Sequence, residues 1–161
     1  MPNTDVYGFL EQNRIPYKRI EHAAVFTVEE SSKLGIGCLA ENTKNLFLAD
    51  EKDQRFYLLT IQHHKRADLK KFASAVGEKR LHFAPADHLL RLLGITPGSV
   101  SALGLMNDAG HSVKFYLDED LLKGHKIYMH PNINTATLEV GIADFKRLME
   151  LLGVKVNPYA V

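Results

Sequence analysis

The chain has 161 residues, a net charge of +1, 45% hydrophobic and 24% charged residues, and one cysteine, Cys38. That length suits a single domain with a real core, and the apolar content excludes wholesale disorder. Near-neutral charge excludes a molecule-wide polyanion trap, one cysteine excludes an internal disulfide framework, and no apolar run approaches the roughly 18 residues of a membrane helix.

Taken in chain order, Thr4 is placed to cap a first helix carrying Val6, Phe9 and Leu10 on one face. Residues 15–22 read as extended. Thr27-Val28-Glu29-Glu30 matches a capping box, with Gly35 as the stop of a short helix over 28–34. Leu46-Phe47-Leu48-Ala49 and Phe56-Tyr57-Leu58-Leu59 flank a polar hexapeptide, a hairpin signal. A helix from about Asp68 stops at Gly77, and Leu81-His82-Phe83 is a short strand. Pro85 starts another helix, with Leu89, Leu90, Leu92 and Leu93 inward and Gly94 ending it. A loop rich in small residues covers 94–104, and Asn107-Asp108-Ala109-Gly110 reads as a hairpin turn. Residues 113–117 form a strand, and Asp118-Glu119-Asp120 opens a short helix where carboxylates suit the positive dipole end. Residues 126–129 and 135–140 are strands. Ile142, Phe145, Leu148, Met149, Leu151 and Leu152 make a last amphipathic helix closed by Gly153. Short strands mixed irregularly with helices indicate an α+β (mixed α/β) single domain spanning 1–161, not a doubly wound fold.

Between the last two strands, His130-Pro131-Asn132-Ile133-Asn134-Thr135-Ala136-Thr137 holds more short hydrogen-bonding side chains than a turn requires. His130 can donate, accept or take a proton near neutral pH, or simply bond local backbone. Lys44 and Asn45 enter an apolar strand, as an edge solubiliser or as a point charge with a neighbouring donor. Gly94, Gly98 and Gly104 permit close approach of backbone N–H groups to an anion or an ester carbonyl. Over 62–80 six cations (Lys65, Arg66, Lys70, Lys71, Lys79, Arg80) stand against two anions (Asp68, Glu78), a possible phosphate-facing patch or a solvated helix face. Eight histidines without an HExxH or spaced Cys/His set give no metal site, and Cys38 reads as a buried small residue. The N-terminus lacks a basic and apolar signal sequence, so the expected location is cytoplasmic.

Six segments together resemble the YbaK/ProX family of aminoacyl-tRNA deacylases (ProXp-ala and PrdX-like), relatives of the editing domain inserted in bacterial prolyl-tRNA synthetases. They are residues 22–30, Lys44-Asn45-Leu46-Phe47-Leu48, Asp68-Leu69-Lys70-Lys71, residues 93–101, Gly104-Leu105-Met106-Asn107-Asp108 and residues 130–137. The resemblance implies a mixed, barrel-like sheet surrounded by helices. It implies hydrolysis of a mischarged aminoacyl-tRNA, alanine on proline tRNA foremost, with no cofactor, metal or membrane. It carries over Lys44, Asn45 and His130 as catalytic residues, with Lys44 on the 3′-terminal nucleotide and a water positioned by backbone groups and the terminal 2′-OH. Gly98, Ser99, Val100, Ser101, Ala102, Asn134 and Thr135 would bind substrate, and Ile20, Val25, Phe26 and Leu46 would wall the amino-acid pocket. The basic 62–80 segment becomes a tRNA contact, and prolyl-tRNA synthetase a candidate partner. A deacylase for another small amino acid, or a catalytically weak tRNA-binding module, are the alternatives. One departure stands out: the family's small-residue loop reads Gly-x-x-x-Pro, whereas Ala102 follows Gly98-Ser99-Val100-Ser101 here. Loss of the proline frees φ at that position but removes no backbone donor.

Overall fold

A computed structural model of the chain describes residues 5–21, 43–97, 99–133 and 135–161. The expected helix over 28–34, Val25, Phe26, Cys38, Gly98 and Asn134 lie outside the described residues. Helix α1 (Val6–Gln12) is capped by Asp5, whose carboxylate accepts from Gly8 N at 3.0 Å; Thr4, the expected cap, lies outside the described residues. Strand β1 (Lys18–Glu21) follows. The expected hairpin is β2 (Thr43–Asp50) and β3 (Phe56–Gln62), antiparallel with Asn45 opposite Thr60 and Ala49 opposite Phe56. Asp50 closes it, accepting from Gln54 N and Arg55 N at 2.7 and 2.9 Å. These backbone bonds, Arg55 N first, hold the Asp50 carboxyl below its ordinary value against the opposing effect of burial.

Helix α2 (Leu69–Val76) is capped by Asp68 and ends at left-handed Gly77, as the sequence indicates. β4 (Leu81–Phe83) leads to α3 (Ala86–Leu93), which ends at left-handed Gly94. Leu90 is 47% exposed, so the inward face of α3 is Leu89, Leu92 and Leu93. Part of the expected small-residue loop is a 3₁₀ helix over Ala102–Asn107. The turn after Asn107 joins no hairpin, because β5 (Val113–Asp118) pairs in parallel with β3. Asp108 instead receives Ser112 N and Val113 N, at 3.0 and 2.9 Å, and so launches β5. Then come α4 (Glu119–Leu122), β6 (Lys126–Met129), β7 (Ala136–Gly141), α5 (Ile142–Leu151) and a terminal strand β8 (Val156–Tyr159) that the sequence pattern does not announce. Leu151 is exposed, so α5 buries Phe145, Leu148 and Met149.

The five-stranded mixed sheet runs β4-β2-β3-β5-β8, and a three-stranded antiparallel sheet runs β1-β7-β6. One face of the larger sheet (Phe47, Ala49, Phe56, Leu58, Phe115, Leu117) packs on α1, α3, α5 and the smaller sheet in the main core. Its other face (Leu48, Tyr57, Leu59, Ile61) packs on Phe72 and Ala73 of α2. With both faces covered, β3 reads as a continuous buried run instead of an alternating one. Thr43 Oγ1 donates to Tyr128 O at 2.7 Å and fastens the start of β2 to the end of β6, where the two sheets meet. Among the described residues, no helix is long and apolar enough to cross a membrane.

Candidate functional site

The start of β2 carries Lys44 and Asn45, and β2 is in unbroken register with β3 from Thr43 to Ala49. Successive side chains of a strand point to opposite faces. Asn45 therefore shares the main-core face with Phe47. Lys44 shares the other face with Leu46, Leu48 and its register partner Ile61. Lys44 and Asn45 thus stand on opposite faces of β2. Leu46, expected as a pocket wall, packs against the core under α2. Lys44 is half-buried. Burial, and then the Arg66 guanidinium, hold its ammonium below its ordinary value. Among the described residues no carboxylate forms an ion pair with Lys44 or with Arg66. Two like charges held together without an anion favour one arriving from outside.

On the main-core face, Asn45 Nδ2 donates to Val100 O at 3.1 Å, and Thr60 Oγ1 donates to Asn45 Oδ1 at 2.5 Å. The Asn45 carboxamide is thus engaged at both ends by protein and holds the 98–102 loop. Within that loop Ser99 N donates to Thr96 O, and the buried Ser101 side chain accepts from Leu103 N at 3.1 Å to cap the 3₁₀ helix. Ala102, buried, starts that helix. The Ser101 hydroxyl is therefore a cap, and the Val100, Ser101 and Ala102 amides are the loop's candidate donors.

His130 follows β6 and is half-buried, with Nδ1 3.2 Å from Ala136 O. A carbonyl only accepts, so Nδ1 carries the proton, and in the neutral ring Nε2 is the acceptor. That local bond was one of the two sequence expectations for His130, and it also fixes the ring's tautomer. Pro131 is buried, Asn132 turns the chain at φ +65°, and Thr135 is exposed. Ile20 of β1 lies opposite Thr137 of β7. The bond from Thr43 to Tyr128 O brings this end of the small sheet beside the start of β2. The same corner holds His63, whose imidazole is pushed below its ordinary value by burial first and by nearby Lys44. Sequence reasoning passed over Thr43 and Thr60. The signal for Thr60 was present: it is an aliphatic hydroxyl inside the apolar run 56–61.

The six cations of 62–80 do not form one face. Lys65, 18% exposed, bonds the fully buried Asp118 at 2.9 Å and Asp120 at 2.6 Å. Burial pulls its ammonium down, but the two carboxylates outweigh that and hold it above its ordinary value. Asp118 also receives Gln62 N and Asp120 N, so Lys65 is part of an internal clamp. Arg66 lies by Lys44, Lys70 is exposed on α2, and Lys71 Nζ donates to Ala160 O at 3.3 Å. Lys79 and Arg80 line a cavity of about 310 Å³ with Asp50, Lys52, Arg55 and Glu78. That cavity lies at the far end of β2, about 20 Å from Lys44 at the usual strand rise.

The family model of the aminoacyl-tRNA editing domain matches residues 22–148. The chain is 34% identical to the prolyl-tRNA editing protein ProX of Acetoanaerobium sticklandii, over 92% of this chain and 90% of the relative. It is 36% identical to the prolyl-tRNA synthetase associated domain-containing protein 1 of Bos taurus, over 83% of this chain and 80% of the relative. A solved structure of a candidate trans-editing enzyme for prolyl-tRNA synthetase superposes with a TM-score of 0.70 at 25% identity, covering 97% of this chain and 94% of the other.

Proposed function

This chain belongs to the aminoacyl-tRNA editing domain family, and we propose that it is a trans-editing hydrolase that cleaves the ester of alanine mischarged on proline tRNA. The observation that carries the reading is the bond from Asn45 Nδ2 to Val100 O, which fastens the 99–102 loop to the start of β2. In the reaction, water oxygen bonds the ester carbonyl carbon, negative charge builds on the carbonyl oxygen, and the tRNA 3′-oxygen leaves with a proton. An aminoacyl ester is already activated, so orientation and stabilisation of that charge matter more than a strong base.

The Val100, Ser101 and Ala102 amides stabilise the developing oxyanion. His130, its ring oriented by the bond from Nδ1–H to Ala136 O, orients the water or the terminal 2′-OH. Lys44, supported by Arg66, holds the phosphate side of the terminal nucleotide. Ile20 bounds the amino-acid pocket. Size exclusion alone separates substrates differing by one methylene by about 10- to 200-fold, so serine and glycine esters are the natural competitors.

Single-turnover deacylation of proline tRNA charged with alanine, serine, cysteine or proline tests the reading. The wild type should hydrolyse the alanine ester fastest, and Lys44→Ala should lower that rate on the order of 10²-fold, the size of losing one strong site interaction. Intact tRNA binding with no hydrolysis of any of the four esters would show a binding module and overturn the proposal.

A further inference from the structure

We propose that Thr60 is a positioning residue for hydrolysis. Its hydroxyl fixes the Asn45 carboxamide, and Asn45 in turn fixes the Val100 carbonyl, so the 99–102 loop presents its amides in one orientation. The role rests on the hydrolase reading above, but the relay itself does not.

The argument begins in β3, where Thr60 is buried on the main-core side opposite Asn45. A buried hydroxyl is unfavourable unless it is hydrogen-bonded, and valine would fill the same volume without that demand. The bonds of this relay have a forced polarity. Val100 O can only accept, so the end of the Asn45 amide facing it is the NH₂ group. That leaves Oδ1 toward Thr60, and Oδ1 can only accept, so Thr60 Oγ1 is the donor. Remove the hydroxyl and nothing in this pair holds Oδ1 in place. The amide is then free to turn over and present oxygen to the Val100 carbonyl, breaking the hold on the loop.

The relay bears on a specific weakness of this chain. Between Ser99 and Ala102 the loop holds no proline, and so it lacks a residue with fixed φ. Its flanks are held by the bond from Ser99 N to Thr96 O and by the Ser101 cap. Val100, between them, is held by Asn45 from a strand 55 residues away in sequence. The relay supplies from outside the loop the rigidity that proline would supply from within.

The test compares Thr60→Val, which keeps the shape and removes the donor, with Thr60→Ser, which keeps the donor. Thermal melts identify the folded variants, and Thr60→Cys, a weak donor of similar size, replaces Thr60→Val if the latter does not fold. Single-turnover deacylation of Ala-tRNA(Pro) by Thr60→Val should slow by on the order of 10- to 100-fold, the scale of a misplaced reacting geometry. Its tRNA Kd should stay at the wild-type value. Thr60→Ser should recover the rate. Amide hydrogen exchange over 99–102 should quicken in Thr60→Val and not in Thr60→Ser. A folded Thr60→Val with wild-type rate and wild-type exchange overturns the proposal. If the wild type hydrolyses no ester, the hydrolase reading falls and the exchange comparison decides the relay alone: unchanged exchange rejects it.

Discussion

Glu78 shows how much one side chain can concentrate. Its carboxylate accepts from Arg55 Nε at 2.6 Å, Arg55 Nη2 at 2.8 Å and Tyr57 Oη at 2.6 Å. Arg55, and then Tyr57, hold it at about 2 against an ordinary 4.5. Tyr57 is pushed up to about 12, by burial first and then by its bond to Glu78. The signs are opposite in the two cases. A carboxyl depressed by folding contributes stability above its unfolded value, here 4.5, and loses it as pH falls through about 2. A phenol raised by folding contributes below 10 and loses that as pH rises through about 12. Glu78→Gln should therefore cost about 1–3 kcal/mol at pH 7, the range for an orphaned charged hydrogen-bond partner. Urea unfolding should show the gap to wild type narrowing between pH 4.5 and pH 2. A gap that stays constant from pH 7 down to pH 2 would mean that the charge of Glu78 is not the source.

At the scale of elements, the chain announces its helices where apolar spacing and end chemistry agree. Asp68 and Gly77 bracket α2, and Pro85 and Gly94 bracket α3, because a short acceptor or a proline suits a helix start and a left-handed residue suits its end. The two glycines separate two physical terms. At Gly77, φ is +80° and a Cβ would meet nothing within 4 Å, so Gly77→Ala tests backbone conformation alone, about 1 kcal/mol. At Gly94, φ is +68° and a Cβ would sit 2.9 Å from Asn107 Nδ2, which donates to Leu93 O at 2.8 Å. Gly94→Ala should cost at least about 1 kcal/mol more, because it also strains the bond tying the 3₁₀ helix to α3. Equal losses in parallel denaturant titrations would remove that tie from the account. Local chemistry was silent elsewhere for definite reasons. Asn107-Asp108-Ala109-Gly110 turns the chain whether or not its flanks pair, and the parallel partner of β5 lies some fifty residues upstream. β8 holds Pro158, which a strand accepts at a sheet edge, so its pattern does not read as a strand.

Across the whole molecule, the fold redistributes charges that lie side by side in sequence. His130, Asn45 and the 98–102 loop were legible as a set only through the family resemblance, and a hydrogen bond from Asn45 to Val100 O joins two of the three. Their roles within the set were not, because alternation along β2 depends on a register that only β3 defines. The basic 62–80 segment is the clearest case. Counting cations predicts one patch, but a buried acid from β5 takes Lys65 out of it. Asp118 is fully buried and shares Lys65 with Asp120, so Lys65→Gln leaves a buried carboxylate short of its cation and should destabilise by about 3 kcal/mol. On the hydrolase reading, Arg66 and Lys70 face the acceptor arm. Each phosphate contact adds about 0.7–0.9 to the slope of log affinity against log salt, so Arg66→Gln and Lys70→Gln should each flatten that slope by roughly one. Lys65→Gln, measured at a temperature where it is folded, should leave the slope at the wild-type value while lowering the unfolding midpoint. A slope change for Lys65→Gln equal to that of Arg66→Gln would place its ammonium on the RNA and break the clamp assignment. The distinction matters because the clamp carries the Gln62–Lys65 turn, through Lys65 N to Gln62 O at 3.0 Å and Gln62 N to Asp118 at 3.1 Å. That turn sets where Arg66 emerges beside Lys44, so on the hydrolase reading the clamp determines where the Arg66 charge is presented to the RNA.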